Sequence, residues 1–188
     1  LMNKNNTVDL IYNFDLGEIA KIKRIKFIGE KVYSDGTLRN IIISEESKFW
    51  KFLTKNKYLD ANRIKIDRIK LEEFYKNRGF YGVKIKSTFA IINNENQFEL
   101  IFNINSGTKF YFDNIQIKET NNIKIDNLEL FEKRFDNLLG EKYSKTKIEN
   151  LINDLNEYAL NNDFIFINAT YNEIIKDNNL IDVNINFE

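Results

Sequence analysis

Three segments of this chain repeat one pattern, and that recurrence constrains the fold more than any single motif does. Val8-Asp9-Leu10-Ile11-Tyr12-Asn13-Phe14 runs into Leu16-Gly17, and Phe98-Glu99-Leu100-Ile101-Phe102-Asn103-Ile104 runs into Ser106-Gly107. Ile181-Asp182-Val183-Asn184-Ile185-Asn186-Phe187 is the third copy. Side chains alternate faces along a strand, so each segment is predicted to be a strand with one face buried. The residues between them align as well. With Gly17 set on Gly107, Ile25 falls on Ile115, Phe27 on Ile117, Leu38 on Leu128 and Ile41 on Phe131. Further on the offset shortens and Phe80 falls on Phe164, so the first copy carries extra residues around Lys48-Phe49-Trp50-Lys51-Phe52-Leu53. A recurrence of this length means tandem structural units rather than one large core.

Each unit reads strand, helix, helix, strand, strand. In the first, Ile22 to Ile28 is a strand with Ile25 and Phe27 facing one way. Ser34 is placed to N-cap a short helix bearing Leu38, Ile41 and Ile42. A longer helix from about Asn62 to Arg78 carries Ile64, Leu71, Phe74 and Tyr75 on one stripe, and Gly79 suits a left-handed C-terminal cap. A hairpin follows, Val83 to Ile92, a turn at Asn93-Asn94-Glu95-Asn96, then Gln97 to Asn105. The second unit repeats this from Tyr111 to Glu188, with Ile148, Leu151, Ile152, Leu155, Tyr158 and Ala159 as its long-helix stripe and Asp163 where Gly79 stood. The predicted class is α+β: tandem two-layer units, each a β-α-α-β-β chain whose three-stranded mixed sheet is covered by a helix pair. The expected division is 1–19 as the last strand of a truncated preceding unit, then 20–107, then 108–188.

Composition removes most chemistry. There is no cysteine and no histidine among 188 residues, which excludes disulfides, thiolate sites, Cys nucleophiles and every His-based triad. Neither G-x-x-x-x-G-K-[ST] nor G-x-G-x-x-G occurs, so a nucleotide cradle has no support from motifs. A carboxylate-only Ca²⁺ or Mg²⁺ site is the one metal chemistry left, and no acidic loop has EF-hand spacing. Lys plus Arg equals Asp plus Glu at 28 each, without the basic excess of a nucleic-acid binder. No apolar run is long enough to span a bilayer as a helix, and no secretory signal peptide is recognisable. The expectation is a non-enzymatic chain with no cofactor, and one excised from something longer.

The unit order, the helix exit Asp67-x₃-Leu71-x₃-Tyr75-x₃-Gly79-Phe80 and the closing strand that ends on a glycine resemble POTRA domains. From Lys23 through Gly107 and onward, the chain is similar to consecutive POTRA domains of outer-membrane β-barrel assembly factors. Phe49-Trp50-Lys51-Phe52 followed by Lys57-Tyr58 resembles the third such domain, which would make the chain the end of the second, then the third and fourth. It departs from the family pattern at Leu16-Gly17 and Ser106-Gly107, where Glu-Gly is usual, and at Gly29-Glu30 and Glu119-Thr120, where Gly-Asn is usual. The resemblance implies a periplasmic scaffold leading to a C-terminal membrane barrel, with no catalysis. Its partners would be accessory lipoproteins of the assembly complex and unfolded outer-membrane proteins. These would be held by strand addition along the second strand of each unit, here Val83 to Ile92 and Phe164 to Ile175. The residues so implicated are Val83, Lys84, Ile85, Lys86, Ser87, Thr88 and Phe89 in the first edge, and Phe166, Asn168 and Thr170 in the second. The arm of a two-partner secretion or autotransporter-assembly transporter shares this fold and mechanism. A divisome-type module is the alternative of another class, and the tandem repeat counts against it.

The residues support part of this without the family. Val83-Lys84-Ile85-Lys86-Ser87-Thr88-Phe89 alternates with its lysines away from the core, as a strand-adding edge or an aggregation-guarded one would. The second edge is less charged. Phe49, Trp50 and Phe52, with Leu53, are expected as a satellite of the core, the alternative being an exposed docking patch. Asp67 reads as a solvated or locally paired carboxylate. Residues 20–107 carry 18 basic and 10 acidic side chains and residues 108–188 carry 9 and 15, so the two units differ in sign, by selection or by drift. A small, partly polar junction near Gly107 with hinge freedom is expected. The strand Val8 to Phe14 could add to a neighbouring molecule's edge.

Overall fold

The computed structural model describes residues 20–50, 53–93, 97–118, 129–162 and 168–188. Expectations about Val8–Phe14, Leu128, Asp163, Phe164 and Phe166 therefore fall outside the described residues. The element order is β1 (Lys21–Glu30), α1 (Asp35–Arg39), α2 (Ala61–Lys76), β2 (Lys84–Asn93), β3 (Gln97–Asn105), β4 (Tyr111–Lys118), α3 (Glu129–Asp136), α4 (Lys145–Asn161), β5 (Ala169–Lys176) and β6 (Leu180–Phe187). Two three-stranded sheets result, ordered β1-β3-β2 and β4-β6-β5. In each the outer pair differs in sense: β1 runs parallel to β3 and β2 antiparallel to it, as β4 and β5 do with β6. The α+β, mixed-sheet class read from the sequence is the one observed.

The central strands are the alternating segments that repeat in the sequence, and alternation explains why they are central. Leu100, Phe102 and Ile104 on β3, and Ile181, Val183 and Ile185 on β6, are fully buried, while the residues between them face away from the core. The repeat extends to a defect. The ladder slips between Ile22 and Arg24 on β1 and between Phe112 and Asn114 on β4, so both first strands carry a bulge at the aligned position. The slip sets Ile25 opposite Leu100 and Ile115 opposite Val183, each facing its own helices.

Capping side chains start the helices. Ser34 accepts from Thr37 N–H at 3.2 Å, as its position predicts. Asp60 does the same for α2 through Arg63 N–H at 2.8 Å, and Ser144 for α4 through Lys147 N–H at 3.4 Å. The long helix therefore begins before Asn62 and ends at Lys76, with Gly79 beyond it at φ +96°. Strand β2 begins at Lys84 rather than Val83, because the Val83 N–H is spent in a turn on Phe80 O at 3.2 Å. At the far end of β1, Gly29 has φ +86°, and a Cβ there would lie 2.4 Å from Ile104 O, so no other residue fits without moving β3.

Asp67 corrects the sequence reading. It is not solvated: its relative exposure is 0% and it sits on the core stripe of α2 with Ile64, Leu71 and Tyr75. Its Oδ1 accepts from Ile43 N–H at 2.6 Å and its Oδ2 from Ser44 N–H at 3.2 Å. Both amides are donors lying past the end of α1, so the carboxylate satisfies them and ties the α1 exit to α2.

Candidate functional site

The sheets offer four outer edges, and the structure treats them differently. The edge of β1 is occupied along most of its length. Ile22 N–H donates to Lys57 O at 2.8 Å, Ser47 N–H to Ile22 O at 2.7 Å and Leu59 N–H to Ala20 O at 2.9 Å. Further along, Ile25 N–H donates to Glu46 Oε1 at 3.0 Å and Arg39 Nη2 to Ile25 O at 3.0 Å. The segments on either side of the extra residues, Glu46–Ser47 and Lys57–Leu59, thus cover one edge of the first sheet. The start of β4 is covered similarly: Phe112 N–H donates to Glu141 O at 3.0 Å and Gly140 N–H to Phe112 O at 2.8 Å.

Strand β2 has no such cover among the described residues. It ends its sheet, and no described strand pairs with its far side. Ser106 N–H donates to Glu30 O at 3.2 Å across the parallel ladder, so even-numbered residues of β3 turn their backbone groups to β1 and odd-numbered ones to β2. In the observed register, Lys84, Lys86 and Thr88 bond to β3, which leaves the N–H and C=O groups of Ile85, Ser87 and Phe89 directed outward. The side chains of Lys84, Lys86 and Thr88 are exposed, on the face opposite the helices, and Ile85 is buried beneath them. Strand β5 is the shorter counterpart. Asn168 pairs with Glu188 in both directions, Thr170 stands opposite Asn186, and the first outward N–H, that of Ala169, donates to Asn156 Oδ1 of α4 at 2.6 Å.

The aromatic insert also departs from expectation. Phe49 is 89% exposed and Trp50 57%, and neither belongs to the core cluster; Phe52 lies outside the described residues. Their rings meet edge-to-face at 4.6 Å between centroids, and Lys48 Nζ lies 5.5 Å from the Trp50 ring. The flanks of this loop are tied to Ile22 of β1 through Ser47 and Lys57, and its aromatics stand outside the core.

Sequence reasoning missed the joint between the two units. Asn77, just past α2, accepts from Thr146 N–H at 2.9 Å and from Ser144 Oγ at 3.2 Å, and its Nδ2 donates to Thr146 Oγ1 at 2.8 Å. The first unit therefore supplies part of the N-cap of α4 in the second. Phe110 N–H donates to Gly79 O at 2.8 Å, and Tyr81 packs against Phe110 and Tyr143 with centroids 5.7 Å and 4.9 Å away. The junction mixes polar and aromatic groups and is keyed by Asn77 and Tyr81. Asn77→Ala removes three hydrogen bonds and should loosen the joint while each domain stays folded. Residual dipolar couplings should fit one alignment tensor in the parent and two in the variant; a single shared tensor in both would contradict this.

Beneath the joint, the Tyr143 hydroxyl donates to Glu173 Oε1 on β5 at 2.7 Å. Burial, then the Glu173 bond and charge, pushes the Tyr143 phenol up, and burial and Glu173 push Tyr81 up to about 12. Burial, chiefly, raises Tyr75 to about 12 as well. These groups favour the neutral phenol in the fold, whereas an unfolded tyrosine ionises near pH 10. Stability from them is intact below pH 10 and is lost as pH climbs from about 10 towards 12. The melting temperature should fall steeply over that window, and less steeply in Tyr143→Phe. A parent curve no steeper than the variant's would contradict the assignment.

A family model for POTRA, the surface antigen variable number repeat, matches residues 20–107. The outer membrane protein assembly factor BamA of Neisseria meningitidis serogroup B is 29% identical over 126 residues, covering 66% of this chain and 16% of that protein. BamA of Neorickettsia risticii is 24% identical over 124 residues, 65% of this chain and 17% of that protein. The chain thus spans about a sixth of these relatives. In fold it is similar to Haemophilus influenzae BamA POTRA3-5, with a TM-score of 0.65 at 16% identity over 91% of this chain and 66% of that one. It is also similar to POTRA1-2 of Omp85 from Anabaena, with a TM-score of 0.55 at 9% identity over 90% and 96% of the two chains.

Proposed function

Since the chain carries tandem POTRA domains related to those of BamA, we propose that it is a periplasmic scaffold segment of an outer-membrane β-barrel assembly factor. In this reading it holds unfolded barrel precursors and accessory lipoproteins by strand addition, ahead of a C-terminal membrane barrel. Its domains are 20–107 and 108–188. The working edge is β2, here Lys84 through Phe89, with Asn168 and Thr170 marking a second, shorter edge. The observation that carries the reading is the contrast between β1 and β2. A sheet whose β1 edge is covered at Ile22 and Ile25, while the outward groups of β2 have no partner strand among the described residues, has an edge available to one. The exposed ring pair of Phe49 and Trp50 supports a second contact, suited to a folded partner such as a lipoprotein.

An amide chemical-shift titration of the 188-residue chain with unfolded peptides from outer-membrane barrel strands tests this. Shifts along residues 84–92 support strand addition at β2. Shifts confined to residues 48–53 would move the precursor site to the aromatic loop, and no shifts at millimolar peptide would leave the segment a spacer.

A further inference from the structure

We infer that the β2 edge is charge-selective: it takes extended strands that carry carboxylates at alternate positions in preference to neutral or basic ones. This rests on the strand-addition reading above and adds the chemistry of the strand accepted. On the solvent face of the first sheet, Lys84 stands opposite Asn105 and Lys86 opposite Asn103, so the neighbouring strand offers each lysine a neutral partner. Across the same face, Glu99 is held by Lys26 at 2.8 Å and Arg24 at 3.4 Å, and is not shared with β2. Among the described residues no carboxylate lies within ion-pair distance of Lys84 or Lys86. The whole domain carries the same bias, with 18 basic against 10 acidic side chains over residues 20–107.

Register makes these two cations count. The outward backbone groups belong to Ile85, Ser87 and Phe89. An antiparallel strand bonded to them would therefore meet Lys84 and Lys86 at non-hydrogen-bonded positions, where facing side chains come closest. Two residues apart on one strand, the lysines ask for carboxylates two residues apart on the incoming one. The same arrangement deters self-association, because a second copy of β2 would place lysine against lysine. Guarding the edge and selecting its ligand are thus one device. Strand β5 provides the internal control. Its corresponding face carries Thr170, Asn172 and Ile174, which are uncharged, and Lys176 beyond them is paired with Asp113 and Asp182.

The test compares three alternating peptides, with Glu, Gln or Lys at the positions facing the solvent side, titrated into the 188-residue chain and followed at the β2 amides. Two opposite-charge cross-strand pairs should make the Glu peptide bind roughly fivefold tighter than the Gln peptide, with the Lys peptide weakest. The preference should vanish at about 0.5 M salt and reverse in the K84E/K86E variant. If that variant does not fold, K84Q/K86Q should instead level the Glu and Gln peptides. Shifts at β5 should show no charge preference. Equal affinity of Glu and Gln peptides at β2 would overturn the selectivity while leaving strand addition standing. No β2 shift with any peptide would overturn both.

Discussion

Asp67→Ala should destabilise the first domain by about 3 kcal/mol, a large share of the 5–15 kcal/mol typical of a folded domain. The substitution leaves the N–H groups of Ile43 and Ser44 without their acceptor, at a site with no exposure. Losing charge-assisted bonds to buried donors costs more than losing a neutral pair, because the donors remain desolvated. Asp67→Leu should fare no better, although the aligned position in the second unit is Leu151, since an apolar side chain fills the space and still strands two amides. Asp67→Asn, which keeps one oxygen, should fall between. Urea unfolding followed by resolved amide signals reads the two domains separately. The loss should be confined to residues of the first core, and a midpoint unchanged to within about 0.5 kcal/mol would show that the carboxylate is dispensable.

Ser87→Pro should weaken peptide binding at β2 at least roughly tenfold while leaving the domain folded. The ring removes the Ser87 N–H, which faces away from β3, and an edge strand tolerates proline where the missing donor points to solvent. Thr88→Pro is the contrasting case. Its N–H belongs to the ladder opposite Ile101, so the same chemistry one residue later should cost about 3 kcal/mol of stability. Ser87→Pro that binds peptide as the parent does would mean that β2 does not supply backbone bonds to the ligand. Thr88→Pro as stable as Ser87→Pro would mean that the outward and inward backbone groups have been assigned the wrong way round.

The fold was legible where one physical rule acts locally. Alternation at Phe98–Ile104 and Ile181–Phe187 announced the central strands because a strand buried on one face must alternate. The helical stripe from Ile148 to Ala159 announced α4 for the corresponding reason. What escaped were side chains whose partners are distant in sequence. Asp67 on a helix looks like any solvated carboxylate until the loop at Ile43–Ser44 folds back over it, and no local pattern reports that. Its alignment with Leu151 was the available signal, a polar residue at a position the second unit fills with a hydrophobe. Asn77 was invisible for the same reason, since its role is to cap a helix of the other domain. The aromatic insert was misjudged because Phe and Trp normally enter a core. Here the loop is tied to β1 only at its flanks, Ser47 and Lys57, and Phe49 and Trp50 stand outside the core. The edges themselves were read through family resemblance. Only the three-dimensional register separates the covered edge of β1 from the open one of β2, and it assigns the outward groups to Ile85, Ser87 and Phe89.

The most direct measurement is of intermolecular nuclear Overhauser effects between the 188-residue chain and a bound barrel-strand peptide. An added antiparallel strand brings α-protons together at its non-hydrogen-bonded pairs, so cross-peaks are expected from peptide α-protons to those of Lys84, Lys86 and Thr88. Cross-peaks that run instead to the rings of Phe49 and Trp50, with none along β2, would contradict strand addition as the way this chain holds an unfolded partner.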